Sequence, residues 1–160
     1  MAKNDILQGG DLMLFNISGT GSTSASTIAA ATNHTLSIST ELSDTSHKDI
    51  VGSWKSSEVK SFSWEATTEN LFTLDPAGKG YYDLFDYMTN KTKLTVYLDN
   101  KSSAAFSTTN GWTPNLANGT DYLSGQVIIS NISLNAPNGD NATYTVTFTG
   151  VGPLTHVKVS

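Results

Sequence analysis

Three histidines, His34, His47 and His156, could ligate a metal or act as a base near neutral pH. None has a second histidine or a carboxylate four residues away, so the spacing of a helical zinc pair is missing. Ser46-His47-Lys48-Asp49 contains the letters of a nucleophilic triad. A triad is a spatial constellation, however, and side chains adjacent in sequence point apart. Gly19-Thr20-Gly21, Gly78-Lys79-Gly80 and Gly150-Val151-Gly152 lack the six-residue spacing and the Lys-Ser/Thr ending of a phosphate cradle, and read as turn glycines. Asp83 and Asp86 have the chemistry of an acid and base pair but fall on the polar side of an amphipathic segment. Asn-x-Ser/Thr occurs at Asn16, Asn33, Asn90, Asn100, Asn118, Asn131 and Asn141, a modest excess in a chain this rich in Asn, Ser and Thr. These residues assign no catalytic site, no cofactor and no metal, and the expectation is a protein that is not an enzyme.

Composition narrows the classes further. Of 160 residues, 14% are charged, against about 25% in an ordinary soluble domain. Twenty Ser, 22 Thr, 13 Asn and 13 Gly supply the polar surface instead. All nine basic residues are lysines and the net charge is -5, so the arginine forks and basic stripe of a nucleic-acid binder are missing. There is no cysteine, which excludes a disulfide scaffold and a thiolate metal site. Leu, Ile, Val and Phe total 36 of 160, enough for one core but not a rich one. No stretch approaches the ~18 apolar residues of a membrane span, and the first thirty residues lack a charged and then apolar leader pattern. The chain is expected to fold in a cytoplasm, with no membrane partner.

The elements that would position these residues are mostly strands. Residues 11–17 form a short apolar run, and 32–40 alternate, with Leu36 and Ile38 on one face and Thr35, Ser37 and Ser39 on the other. Residues 54–68 carry Val59, Phe62 and Trp64 on a pair of short strand segments. After the turn signal at 75–80, Tyr81, Leu84, Phe85 and Met88 recur at helical spacing, so they predict one helix with these four facing the core. A strand at 94–98 follows, then a hairpin whose arms are 122–134 and 142–150. In its second arm Tyr144, Val146 and Phe148 point one way and Thr143, Thr145, Thr147 and Thr149 the other. The reading is one domain over 1–160. It has an N-terminal arm at 1–10, loops at 18–31 and 99–120, and a C-terminal arm at 152–160. Residues 41–52 form a long loop or hairpin tip.

With the chain laid out, the order of several segments resembles one family. Residues 31–40 (ATNHTLSIST), then Ser46-His47-Lys48-Asp49, Gly52-Ser53-Trp54 and 59–65 with Trp64 are similar to the N-terminal half of the tail tube (major tail) protein of long-tailed bacteriophages. The helix at 82–88, the hairpin 126–150 with Asn135-Ala136-Pro137, and Gly150-Val151-Gly152 resemble its later part, so the similarity runs over most of 11–154. The resemblance implies a mainly β fold of two packed antiparallel sheets, a sandwich or partial barrel, flanked by one α-helix. It also implies a structural virion protein. Six copies would form a ring around a channel, and rings would stack into the tube that conducts the genome. Partners would be other copies of the chain, the tape measure protein, the tail terminator, and baseplate or tail-tip proteins. DNA would pass through the lumen without specific binding, and assembly would take place in the bacterial cytoplasm.

On this reading the hydroxyl faces Thr35/Ser37/Ser39 and Thr143/Thr145/Thr147/Thr149 are candidates for the lumen wall. Asp44, His47, Lys48, Asp49, Trp54 and Trp112 are candidates for contacts between subunits or rings. Trp64 is expected in the core. Two other readings compete: the inner tube of a contractile injection or secretion apparatus, and a surface β-sandwich serving as a carbohydrate-binding or adhesin module.

Overall fold

The computed structural model describes residues 9, 12–17, 26–28, 31–46, 54–74, 79–100, 105–107, 111–113 and 121–158. Its elements in chain order are β1 (Leu12–Ile17), β2 (Ser26–Thr27), β3 (Ala31–Asp44), β4 (Ser57–Leu71), α1 (Tyr81–Thr89), β5 (Leu94–Asn100), β6 (Ala105–Ser107), β7 (Gly111–Thr113), β8 (Tyr122–Asn135) and β9 (Thr143–Val157). Seven strands form one antiparallel sheet in the order β2-β1-β5-β8-β9-β4-β3, while β6 and β7 pair separately.

Alternation produces this sheet. Along β4, Trp64, Ala66, Thr68 and Asn70 are buried, while Glu65, Thr67 and Glu69 point away. Along β9, Tyr144, Val146 and Phe148 are buried between the partly exposed threonines. Two bulges keep apolar residues on the inner face where the spacing slips. One, between Ile129 and Asn131, carries β8 from Val127 and Ile129 to Ile132 and Leu134. The other, at the Glu41/Leu42 step, leaves Lys60 unpaired and sets Val59 opposite Leu42. An extra residue in one strand restores the side-chain phase in this way.

The expected two sheets are therefore one continuous sheet that curls. A cavity of about 440 Å³ is walled by Leu12, Leu14, Val96 and Leu98 from one end of the strand order and by His34, Leu36, Trp64 and Ala66 from the other. The long strands β8 and β9 serve both walls. Residues 123–127 of β8 run beside β5, and residues 143–149 of β9 run beside β4. That is a partial barrel rather than two separate layers.

Several loop and arm boundaries move. Ser26 and Thr27 pair with β1, and Ile28 is buried, so 26–28 leave the expected loop 18–31 because an apolar residue there completes the core. Residues 41–44 continue β3 into a hairpin, residues 105–107 and 111–113 form the small β6–β7 hairpin within the expected loop 99–120, and 152–157 extend β9 along β8 instead of forming an arm. Residues 54–68 belong to one long strand from Ser57 rather than two short ones.

Helix α1 begins where the Asp83 carboxylate accepts a hydrogen bond from the Gly80 backbone N–H at 3.2 Å, satisfying one of the donors a helix start leaves free. It rests on the sheet through a narrower ridge than the spacing predicts. Leu84 is fully buried, but Phe85 and Met88 are exposed. The short helix meets the sheet chiefly at β8, so one row of side chains, centred on Leu84, is covered. Tyr81 supplies the rest of the seat, meeting Phe72 and Tyr144 at centroid distances of 5.3 Å each.

Candidate functional site

The two hydroxyl rows, separate in sequence, lie on one sheet face. Ser37 is opposite Glu65, which is opposite Thr149, and Thr35 is opposite Thr67, which is opposite Thr147. Thr35, Ser37 and Ser39 are exposed, and Thr143, Thr145, Thr147 and Thr149 are half-exposed. Hydrogen bonds knit the face together: the Thr149 hydroxyl donates to Ser130 Oγ at 2.9 Å, and the Ser130 hydroxyl donates to the Thr147 carbonyl at 3.2 Å. Glu65 and Glu69 sit among these hydroxyls, and both are exposed. Farther along, the Lys60 ammonium is 3.2 Å from the Glu41 carboxylate, which also accepts from the Ser61 hydroxyl at 3.0 Å. That lysine is therefore locally offset, and the face is hydroxylic with a negative bias. Sequence reasoning missed Glu65 and Glu69, although their odd-numbered positions among the buried even-numbered residues of β4 already place them on this face.

This face spans β8, β9, β4 and β3, and both of its sides end in strand edges. Among the described residues β3 terminates the strand order. β8 pairs with β5 only over Leu123–Val127, so its distal part from Ile128 to Asn135 bonds to β9 alone among the described residues. Open edges of this length are templates for pairing with another chain.

Beyond the core, β3 and β4 continue as a two-stranded ribbon that closes toward residues 45 and 56, where the Thr45 backbone N–H donates to the Ser56 carbonyl at 2.9 Å. Its apolar side chains are uncovered: Phe62 is 74% exposed, Leu42 60% and Ile38 59%. Ile38 thus keeps the face expected beside Leu36 but not its burial, because β1 and β5 cover only the proximal half of the hairpin. Trp54, just before β4, is 82% exposed. Covering a side chain of this size fully is worth about 1.5–3 kcal/mol, so the ribbon carries an unused association energy.

The remaining candidates divide. Asp44 ends β3 in solvent, and its carboxyl is held below the usual range by hydrogen bonds from the Ser46 side chain and backbone, the latter at 2.8 Å. His47, Lys48 and Asp49 lie outside the described residues, as does the side chain of Trp112, whose backbone is in β7. Trp64 is buried, as expected. His34 lines the cavity, its pKa is lowered by burial, and its Nδ1 has no hydrogen-bond partner. His156 Nε2 lies 3.1 Å from the Asp121 carboxylate near the protein surface. No three potential metal ligands cluster among the described residues, and no helix there is long and apolar enough to cross a membrane.

A curled antiparallel sheet with one hydroxylic, negatively biased face, two open edges and an uncovered apolar ribbon defines a self-associating structural β-protein. The family model of the phage tail tube protein matches residues 7–156, so the chain belongs to that family and is a structural component of a tail tube. Solved structures share the fold. The tail of an empty gene transfer agent particle, refined with C6 symmetry, is 17% identical with a TM-score of 0.69, the alignment covering 95% of this chain and 99% of that one. The SPP1 tail tube is 14% identical with a TM-score of 0.69, covering 97% and 81%. A chain of the anti-feeding prophage baseplate is 9% identical with a TM-score of 0.60, covering 100% and 99%. No curated protein sequence matches the chain significantly. The family match favours neither the secretion-tube nor the adhesin reading.

Proposed function

We propose that six copies of this chain close into a ring in which the hydroxyl face of β8, β9, β4 and β3 becomes the channel wall, and that such rings stack into a genome-conducting tube. The observation that carries this reading is the union of two hydroxyl rows and two glutamates on one face bounded by open edges. Strand direction is compatible with closure. From β8 to β3 each step is antiparallel, so β3 of one copy meets β8 of the next in antiparallel sense and every junction is alike. Six sets of four strands, spaced about 4.8 Å and tilted about 40°, would close on a backbone diameter of about 48 Å. Such a channel is wide enough for duplex DNA. Hydroxyls and carboxylates offer phosphates no lattice of cations to release their counterions against, so the genome slides without being held.

In this reading Thr35, Ser37, Ser39, Thr143, Thr145, Thr147 and Thr149 face the lumen, while Asp44, His47, Lys48, Asp49, Trp54 and Trp112 lie between subunits or rings. The tape measure protein occupies the growing lumen, and the tail terminator and baseplate or tail-tip proteins bind the two ends. Subunits assemble in the host cytoplasm before joining the virion. Negative-stain microscopy of the purified chain tests the reading: six-fold rings or smooth tubes are expected, and a sample that stays monomeric at every concentration would sink it.

A further inference from the structure

Resting on that ring reading, we propose that the apolar side of the β3–β4 ribbon of each copy seats on a patch formed by α1 and distal β8 of the next copy. The donor side is Ile38, Leu42 and Phe62, all exposed. The receiving patch is Phe85, Met88 and Leu134, also exposed. Three features bring them together. First, they flank opposite edges of one sheet, the ribbon at the β3 edge and the patch beside the part of β8 that has no partner but β9 among the described residues. Second, they lie on the same side of the sheet. Ile38 is opposite Trp64, and Leu134 is opposite Tyr144, and both partners point into the core that buries Leu84 of α1. Third, α1 meets the sheet at β8, on that core side.

Pairing β3 of one copy with β8 of the next keeps each side of the sheet continuous across the junction. Because Leu134 is level with Ala31 in its own sheet, strand tilt in the ring must stagger the neighbour along β3 until its helix reaches the ribbon's apolar side. The interface is heterologous: every copy carries one donor and one receiver, which is the condition for a closed ring. It excludes water from the outer side of the junction while edge hydrogen bonds form on the plane of the sheet. The helix, which the sheet covers through a single ridge, gains its second wall from another copy.

The test uses Phe62→Glu, which spoils the donor, and Phe85→Glu, which spoils the receiver; Ile38→Glu and Met88→Glu replace either one if it fails to give the wild-type circular dichroism spectrum. Each variant alone is expected to sediment as a monomer at concentrations where the wild type forms rings or tubes. Mixed in equal amounts, the two are expected to give a 1:1 dimer and nothing larger, because only one good donor can meet one good receiver. Normal rings or tubes from either variant alone overturn the inference while leaving the ring reading intact, as does a mixture that stays monomeric. A wild-type chain that never assembles overturns the ring reading and this inference with it.

Discussion

The five-membered ring of Trp64 occupies the space in which a side chain on Gly150 would stand. The six-membered ring of the same indole covers Gly125, and its Nε1–H donates to the Gly152 carbonyl at 3.0 Å. One tryptophan on β4 thus locks the places where β8 and β9 pass from one wall of the curled sheet to the other. Glycine is required at 125 and 150 by close approach of a rigid, buried ring.

Gly150→Ala should therefore destabilise the folded subunit by about 1–3 kcal/mol, the usual cost of overpacking a filled core. The added methyl meets the rigid indole rather than the tip of a flexible chain. Thermal unfolding of the unassembled subunit checks this, with a drop in midpoint of about 2–4 °C per kcal/mol expected for a chain of this size. An unchanged midpoint would mean that the indole is free to move aside.

Acid should weaken the subunit through His34. Its pKa is depressed by burial below the ordinary 6.5, so the unfolded chain binds the proton more readily than the native one. Stability is then fully present above 6.5 and falls as the pH drops from there toward the native value, below which this contribution levels off. His34→Leu should flatten that part of the profile, read from urea midpoints between about pH 7.5 and 5. A wild-type midpoint constant across that interval would contradict the burial of a neutral imidazole.

At the alkaline end Tyr144 behaves in the opposite sense. Burial pushes its phenol up to about 12, with a smaller contribution from the Asp83 charge. The neutral phenol is thus favoured in the fold, and its contribution is complete below the ordinary 10 and lost as pH rises toward 12. Ultraviolet titration should show a late-ionising step to which Tyr97, also raised by burial, contributes, and Tyr144→Phe should diminish that step.

If Glu65 and Glu69 face the channel, Glu65→Lys with Glu69→Lys should leave tube assembly intact but make the lumen hold DNA. The expected result is retention of short duplexes by variant tubes at about 50 mM salt, falling steeply by about 200 mM as counterion competition grows. Wild-type tubes should retain none. Equal retention by both would place these carboxylates on the outside.

Trp54→Ala should leave a folded monomer, since the side chain is almost wholly in solvent, and should impair tube growth. Tubes of normal length by electron microscopy would remove Trp54 from the interface.

Much of this architecture was legible from residue order. The alternation of Tyr144, Val146 and Phe148 with Thr145, Thr147 and Thr149 specified both faces of β9, and the spacing from Tyr81 to Met88 specified a helix. The helix's covered face was read too wide, because periodicity reports an apolar stripe but not how broad a surface will meet it. The bulge in β8 was missed although its signal was present: apolar residues shift from odd positions 127 and 129 to even positions 132 and 134. The same phase shift runs from Val59 to Phe62 and Trp64 in β4.

By itself the sequence determined the strand-rich class, the hydroxyl-for-charge surface and the lack of basic patches, because these follow from side-chain type and local period alone. Only the tertiary structure decided that the rows around Ser37 and Thr147 share one face with Glu65 and Glu69, that two expected sheets are one curled sheet, and that Phe62 and Phe85 remain uncovered. The physical reason is that period two fixes which way a side chain points from its own strand, whereas shared faces and burial depend on which strands become neighbours and in what register. Those pairings join residues as distant as Glu65 and Thr149, and no local window contains them.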